Sequence, residues 1–171
     1  MLFLASIFWQ SHVACKYIGV DILGQPTLRA NIEHHLPFKN NTFDLVFAGE
    51  IIEHVVDTDL FLDECKRILK KNGYLLLTTP NLSSWINRIR LLLGRQPFYC
   101  ENRLRIGIDA GHVRNYVPRE LRKQLLEHRF NVKFFTGDII QGKLVPDGFK
   151  IFLAATLSEF AHCTIALSQK Y

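Results

Sequence analysis

The segment Leu36–Asn81, LPFKNNTFDLVFAGEIIEHVVDTDLFLDECKRILKKNGYLLLTTPN, decides the fold of this chain. Within it, Thr42–Ala48 (TFDLVFA) is a β-branched and aromatic run between turn residues, which predicts a buried strand. A second apolar run, Tyr74–Thr79 (YLLLTT), is closed by Pro80 and predicts a second buried strand.

A helix is predicted between these two strands. Asp57 or Thr58 can cap its N-terminus, and the apolar residues that follow recur at spacings of three and four. Lys70 and Lys71 are expected in its last turn, with Gly73 just past its end. Two buried strands joined through a helix form a βαβ unit, whose strands are almost always parallel. The segment therefore predicts an open α/β sheet.

The rest of the chain adds elements of the same kind. Four further strands are predicted, at Lys16–Ile22, Leu28–Ile32, Asn131–Phe135 and Cys163–Ser168. Three further helices are predicted, at Ser83–Leu93, from Pro118 to about His128, and from about Phe149 to Phe160. The irregular segment from Arg95 to Tyr116 has the length of a lid or binding loop. Met1–Trp9 is apolar from its first residue and predicts a buried helix or strand.

Composition favours one globular domain over residues 1–171, with 48% hydrophobic and 22% charged residues. The four cysteines lie far apart without metal-ligand spacing, so we expect free thiols, a cytoplasmic location and no metal site. The pair His34-His35 is interpreted as loop surface. The net charge of +5 is scattered along the chain, which favours a solvated basic surface over a nucleic-acid footprint. No signal peptide or transmembrane segment is predicted.

Polar residues end the first strands of the predicted sheet. In open α/β sheets, ligands bind beyond the carboxyl ends of the strands, and here these ends carry Asp21, Asn31, Gly49-Glu50 and Pro80-Asn81. A carboxylate at such an end can accept hydrogen bonds from both hydroxyls of a ribose, and a neighbouring amide can read an adenine edge. Asp21 is therefore the first candidate cofactor residue. The alternative is that Asp21 only caps or turns the chain before Gly24.

Several motifs together resemble the class I S-adenosylmethionine-dependent methyltransferases, most closely the broad subgroup that acts on small molecules and lipid-type substrates. These motifs are Tyr17–Asp21, Leu36–Phe38 followed by Phe43–Val46, Glu53-His54, Arg67–Leu69 with Gly73, and Thr79–Asn81. The resemblance covers roughly Tyr17 to Phe135. It implies a Rossmann-like, doubly wound, mostly parallel sheet, S-adenosylmethionine as cofactor, and methyl transfer to an oxygen, nitrogen or carbon atom of a small or lipid-like acceptor.

The resemblance also implies site residues. Those implied for the cofactor are Asp21 and Ile22 at the ribose, Asn31 and Ile32 at the adenine, and Gly49, Glu50 and Ile51 below the methionine part. Those implied for the substrate are His54, Asn81, His112, Arg114 and Tyr116, with residues 82–117 forming a lid. His54 is the one candidate for a catalytic role, since a histidine can accept a proton near neutral pH. A structural role for His54 is the alternative.

The chain departs from the family at its N-terminal end. The family has a glycine-rich turn about twenty residues before the ribose-binding acid, whereas Gly19 is the sole glycine before Asp21. Met1–Cys15 resembles the helix after that turn, so we expect an N-terminally truncated domain. Three outcomes stay open: a fragment, a rearranged sheet in which Met1–Trp9 replaces the missing strand, or a chain of poor stability. The alternative functions are a non-catalytic remnant that no longer binds cofactor and, from charge alone, an RNA methyltransferase.

Overall fold

A computed structural model describes residues 2–5, 17–21, 25–100, 112–138 and 158–171, and of residues 2–5 only the backbone. The described strands are β1 Leu2–Ala5, β2 Tyr17–Asp21, β3 Leu28–Arg29, β4 Phe43–Gly49, β5 Leu69–Pro80, β6 Phe130–Gly137 and β7 Cys163–Lys170. The described helices are α1 Thr58–Ile68, α2 Trp85–Leu92 and α3 Pro118–Glu127. Single 3₁₀ turns lie at Ile52–His54 and Ser158–Phe160.

The strands form one sheet in the order β3-β2-β1-β4-β5-β7-β6. β2 pairs in parallel with β3, and β4 pairs in parallel with β5. β1 is antiparallel to β2 and β4, and β7 is antiparallel to β5 and β6. β2 to β6 consequently all run in one direction, and β1 and β7 run against them. This confirms the prediction of a mostly parallel, Rossmann-like α/β sheet.

Strand β1 lies between β2 and β4, where the resemblance implies a missing strand. Leu2–Ala5 pairs with Tyr17–Val20 on one side and with Leu45–Ala48 on the other. Of the three outcomes left open, the rearranged sheet is the one that matches this arrangement. The expectation of a helix over Met1–Cys15 is wrong for Leu2–Ala5, and residues 1 and 6–16 lie outside the described part of the chain. The pairing gives hydrogen-bond partners to both neighbouring strands, which would otherwise present open edges.

Helix α1 begins where the sequence predicts. The Asp57 carboxylate accepts a hydrogen bond from the Leu60 N–H at 2.9 Å and so caps the helix. The prediction that Lys70 and Lys71 form the last turn is wrong, because the helix ends at Ile68 and both lysines belong to β5.

A bulge in β5 directly follows the end of α1. The pairing between β4 and β5 jumps from Phe43–Leu69 to Leu45–Tyr74, so residues 70–73 bulge out of the ladder. Asn72 takes a left-handed φ of 65° in this bulge. A Cβ on Gly73 would lie 2.9 Å from the Lys70 carbonyl oxygen, so only a glycine fits this close approach.

The core lies between the sheet and the two helices α1 and α3. Its fully buried residues include Val20, Val46, Leu75 and Leu77 from the strands, Phe61, Leu62, Cys65 and Ile68 from α1, and Leu121 and Leu125 from α3. Burying each large side chain stabilises the fold by about 1.5–3 kcal/mol. Helix α2 differs, because Asn87 is its one buried residue.

Several predicted elements differ in extent from the structure. β5 starts at Leu69 rather than Tyr74, and β6 and β7 are each longer than predicted. β3 covers Leu28–Arg29 instead of Leu28–Ile32, because the Asn31 side chain accepts a hydrogen bond from the Glu33 N–H at 2.9 Å and turns the chain. Helix α2 starts at Trp85 rather than Ser83. Of the helix predicted from about Phe149 to Phe160, residues 149–157 lie outside the described residues and Ser158–Phe160 form a 3₁₀ turn.

None of the helices in the described part of the chain combines the length and the apolar run needed to cross a membrane.

Candidate functional site

The carboxyl ends of β2 and β3 bring the first two candidate cofactor residues together. Asp21 is the last residue of β2 and is paired in register with Arg29 at the end of β3. The Ala30 N–H donates to the Asp21 carbonyl oxygen at 3.1 Å, which holds the start of the following turn against β2. Asn31 follows directly, and both side chains are half-buried. Asp21 and Asn31 therefore lie on neighbouring strand ends, as an adenosine site requires.

The Asn31 carboxamide is hydrogen-bonded within the chain. Its oxygen accepts the Glu33 N–H at 2.9 Å, and the Glu33 carboxylate in turn accepts the Val56 N–H at 2.7 Å. A carboxamide oxygen has two lone pairs, so one remains for an adenine amino group. Ile32 is half-buried and packs against the core, while Ile22 lies outside the described residues.

The cofactor candidates Gly49, Glu50 and Ile51 lie in a tight turn at the end of β4. A Cβ on Gly49 would lie 2.7 Å from the Phe47 ring, and Glu50 has a left-handed φ of 52°. The Glu50 N–H donates to the Thr78 carbonyl at 3.0 Å, and the Thr78 hydroxyl donates to the Glu50 carboxylate at 2.7 Å. The Glu50 side chain is thereby turned toward β5, and Ile51 is buried beside it.

Glu53 is a buried acid in the 3₁₀ turn after β4, with 1% of its surface exposed. The Thr79 hydroxyl donates to Glu53 Oε2 at 2.9 Å, whereas Oε1 is buried and has no hydrogen-bond partner among the described residues. Burial raises the pKa of this carboxyl to about 7, and the hydrogen bonds to it offset only part of that rise. Near neutral pH, Glu53 therefore exists in both protonation states.

Four rings form a contiguous group beside Glu53, called here the aromatic row: His54, His112, Tyr99 and His162. The ring centroids of His54 and His112 lie 4.8 Å apart, and those of His112 and Tyr99 lie 5.6 Å apart. The Tyr99 hydroxyl and His162 Nε2 are hydrogen-bonded at 2.6 Å. The aromatic row thus joins the end of β4 to the start of β7.

Backbone hydrogen bonds bring His112 to this place. The Glu53 carbonyl oxygen accepts the N–H groups of Val113 and Arg114, at 3.0 and 3.1 Å. The sequence predicted His54 and His112 as substrate residues, and the structure brings them together. Tyr99 and His162 were missed, because each lies in an irregular segment that meets the others only in the folded chain.

The remaining substrate candidates, Asn81, Arg114 and Tyr116, have side chains that are hydrogen-bonded within the chain. Asn81 is buried, its amide donates to the carbonyls of Glu159 and Ala161, and its oxygen accepts from the N–H and hydroxyl of Ser83. Both amide hydrogens are therefore used within the chain. Arg114 donates to the Val56 carbonyl, and Tyr116 donates to Gln124 at 3.1 Å.

Arg114 and Tyr116 instead line a polar cavity of about 420 Å³ between the start of α1 and α3. The three histidines of the aromatic row are not among its lining residues. Arg114 and Tyr116 therefore line this cavity, whereas His54 and His112 belong to the aromatic row.

Helix α2 presents apolar side chains outward in the segment predicted as a lid. Its large exposed residues, in the described part of the chain, include Trp85, Ile89, Leu91 and Leu92, with Leu93 directly after it. Asn87 anchors the other side, where its amide bonds the Asn81 carbonyl at 3.4 Å and accepts the Phe98 N–H at 2.8 Å. A partly apolar surface of this kind is typical of a site that contacts an apolar ligand or partner.

Comparison with known proteins is consistent with this geometry. The family model described as "Methyltransferase domain" matches residues 6–77. A ubiquinone biosynthesis O-methyltransferase of Bradyrhizobium diazoefficiens is 36% identical over 97 residues, covering 56% of this chain and 36% of that protein. A Mycobacterium tuberculosis protein named "Probable S-adenosylmethionine-dependent methyltransferase" is 34% identical over 112 residues, covering 60% of this chain and 36% of that protein.

Solved structures share the fold. A SAM-dependent methyltransferase from Thermotoga maritima superimposes with a TM-score of 0.59 and 20% identity, covering 84% of this chain and 63% of that chain. One from Archaeoglobus fulgidus gives a TM-score of 0.54 and 15% identity, with coverages of 84% and 66%.

An α/β sheet whose acidic and amide-bearing strand ends meet at one edge defines a Rossmann-like domain of the kind that binds nucleotide-type cofactors. The match of residues 6–77, the two relatives and the shared fold together support a class I S-adenosylmethionine-dependent methyltransferase. The chain spans about a third of the length of each of the two curated relatives named above.

Proposed function

We propose that this chain binds S-adenosylmethionine across the carboxyl ends of β2, β3 and β4 and serves methyl transfer to a small-molecule or lipid-like acceptor. The observation that carries the proposal is the placement of Asp21 at the end of β2 and of Asn31 just past the end of the adjacent β3, in a chain similar to such methyltransferases. Asp21 accepts hydrogen bonds from the ribose hydroxyls. Asn31 accepts one from the adenine amino group, and Ile32 packs against the adenine ring.

The end of β4 completes the proposed cofactor site. The turn at Gly49 and Glu50 is fixed by two hydrogen bonds to Thr78, so the backbone there is rigid before any ligand arrives. Ile51 is buried directly after this turn. A rigid, partly apolar wall suits the methionine part of the cofactor, which needs orientation more than charge. When bound, S-adenosylmethionine supplies a methyl group activated by its sulfonium.

The acceptor side is proposed at the aromatic row, two of whose rings, Tyr99 and His112, belong to the proposed lid segment 82–117. Holding the reactants in line accounts for up to about 7–11 kcal/mol of a barrier, so positioning is the main task of these residues. If the acceptor is a hydroxyl, its proton leaves as the new O–C bond forms, and His54 accepts it. The exposed apolar side chains of α2 favour an acceptor with an apolar part. The ubiquinone-pathway name of one relative supports an O-methyl acceptor of that kind.

Isothermal titration of the purified chain with S-adenosylmethionine and with its demethylated product tests the proposal. We expect micromolar binding, and Asp21→Ala should weaken it by at least about tenfold. Hydrogen bonds to a charged group contribute about 1.5–3 kcal/mol, and 1.4 kcal/mol is a factor of ten in affinity.

Asp44→Asn is the matched control, because Asp44 is an exposed acid near the opposite end of β4. It should bind as the unaltered chain does. Unchanged affinity in Asp21→Ala would remove Asp21 from the site. If circular dichroism shows that the sample is folded and the titration still gives no binding heat, the proposal is overturned in favour of a non-catalytic remnant.

A further inference from the structure

Three side chains beside the end of β4 form a group with the chemistry of a metal site. Glu53, His54 and His112 each offer one ligand atom, and these atoms all lie within 4.8 Å of one another. The rings of His54 and His112 are inclined at 76°, so they do not stack face to face. One carboxylate and two imidazoles are a ligand set that first-row divalent metals take in sites with open coordination positions.

The buried carboxylate oxygen of Glu53 is an independent second observation. Glu53 is 1% exposed, and its Oε1 atom has no hydrogen-bond partner among the described residues. A buried carboxylate oxygen is normally paired or bound to a metal, because leaving it bare is costly. Oε2 is held at 2.9 Å by the Thr79 hydroxyl, which orients the carboxylate as an outer-shell partner of a ligand does.

Backbone hydrogen bonds and ring contacts hold the turn that carries Glu53 and His54 next to the segment that carries His112. The Glu53 carbonyl accepts two N–H groups from residues 113 and 114, directly after His112. The ring of His112 also stacks at 22° on Tyr99, whose hydroxyl is hydrogen-bonded to His162. His112 is therefore in contact with a ring on each side, which leaves its imidazole little freedom to leave the group.

We propose that Glu53, His54 and His112 bind one first-row divalent metal ion, such as Zn²⁺. Two imidazole ligands favour such an ion over Mg²⁺, which prefers oxygen ligands and demands near-ideal octahedral geometry. Metal–ligand bonds of about 2.0–2.2 Å place ligand atoms of one ion roughly 3–3.5 Å apart. The group therefore closes by about 1 Å on binding, and rotation of the exposed His54 side chain supplies this movement.

The sequence predicted no metal site, because the ligands come from residues 53, 54 and 112. The proposed ion lies next to the acceptor side of the cofactor edge, with open positions for an oxygen of a ligand. With the ion bound, His54 is a ligand, so its proposed role as proton acceptor applies only to the metal-free chain. The metal site itself does not depend on the proposed function, since ion binding is measured without S-adenosylmethionine.

Zn²⁺ titration of the EDTA-treated, dialysed chain tests the site. We expect one Zn²⁺ per chain, and His112→Ala and Glu53→Gln should each weaken binding by about 10–100-fold or more, on the scale seen for such sites. The double variant with His34→Ala and His35→Ala is the matched control, because these two neighbouring histidines are exposed and lie outside the group. It should bind Zn²⁺ like the unaltered chain.

Co²⁺ supplies a spectroscopic signature of the ligands. The visible d–d bands of the Co²⁺ form should appear with the unaltered chain and be lost in His112→Ala. Circular dichroism of each variant separates loss of the site from loss of the fold, and His112→Ala is the decisive variant because His112 is less buried than Glu53. Equal losses in the His34/His35 control, no binding by the unaltered chain, or a strong thiolate band from a cysteine ligand would each overturn the proposal.

Discussion

At the scale of single residues, Arg67 joins α1 to the turn that precedes β4. Its guanidinium donates to both carboxylate oxygens of Glu64, at 2.8 and 2.9 Å, and to the carbonyls of Leu36 and Phe38. Glu64 also accepts the Leu36 N–H at 2.9 Å, and its side chain is 5% exposed. The motif residues Leu36, Phe38 and Arg67 therefore share one structural hydrogen-bond network.

Arg67→Met should destabilise the chain by about 3–5 kcal/mol, because it removes the guanidinium that pairs with both oxygens of the buried Glu64 carboxylate. Lys70→Met is the control, since the Lys70–Asp44 ion pair is about half exposed on both sides and should cost only about 0–1 kcal/mol. Urea unfolding of both variants at neutral pH measures the difference. Equal urea midpoints for the two variants would mean that the Arg67 network contributes no more to stability than a surface ion pair does.

The same scale shows which site residues the sequence could reveal. Asp21 and Asn31 could be predicted, because each follows an apolar run and strand ends are where parallel sheets bind ligands. The burial of Glu53 could not be predicted, since its neighbour His54 is exposed in the same turn. Tyr99 and His162 could not be predicted either, because their contacts depend on the path of irregular segments.

At the scale of elements, the start of α1 was predictable and its end was not. A cap is a local signal, and Asp57 supplies it. The last helical carbonyls, of Arg67 and Ile68, instead accept the N–H groups of Asn41 and Thr42 from the turn before β4. Because these partners come from distant sequence, the pattern of lysines and glycine after Ile68 could not show where the helix stops.

His128, at the C-terminus of α3, clamps this helix to α1. Its Nδ1 is 2.8 Å from Asp63 and its Nε2 is 3.0 Å from Asp59, with 13% of the side chain exposed. Burial alone would lower the pKa of His128, but the hydrogen bonds and charges of the two aspartates outweigh it and raise the pKa above 6.5. The clamp is therefore strongest when the imidazole is protonated.

A raised pKa in the folded state sets the direction of the pH effect. The stabilisation from His128 is fully present below pH 6.5, the unfolded pKa, and is lost as the pH rises through the folded pKa. His128→Gln should cost about 1–2 kcal/mol at pH 6 and less at pH 9, by analogy with protonated histidines at helix C-termini. Unfolding by urea at the two pH values measures this, with the exposed His34→Gln as control. If His128→Gln loses the same stability at both pH values, the protonated His128 does not stabilise the contact between α3 and α1.

At the scale of the whole molecule, the alternation of strand and helix was enough to predict an α/β sheet with a ligand edge. The position of β1 was only one of three outcomes left open. An apolar run fits a buried helix as well as a buried strand, and the choice here is decided by two open strand edges. Pairing with β2 and β4 satisfies both edges, and a helix at the same place would satisfy neither.

The last prediction follows from this central position of β1. Leu4 is paired with Ile18 on β2 and with Val46 on β4, so Leu4→Pro removes a backbone donor inside the sheet. Proline in a central strand removes a ladder hydrogen bond, so the chain should lose about 1–3 kcal/mol of stability or more, the cost of leaving a buried carbonyl without its partner. In the unaltered chain, hydrogen exchange followed by mass spectrometry should show residues 2–5 protected nearly as well as β7. Leu92→Ala is the control, because Leu92 is exposed at the end of α2, outside the core, and alanine keeps the backbone N–H. Rapid exchange over residues 2–5, together with an unchanged stability of Leu4→Pro, would show that β1 does not complete the sheet in solution.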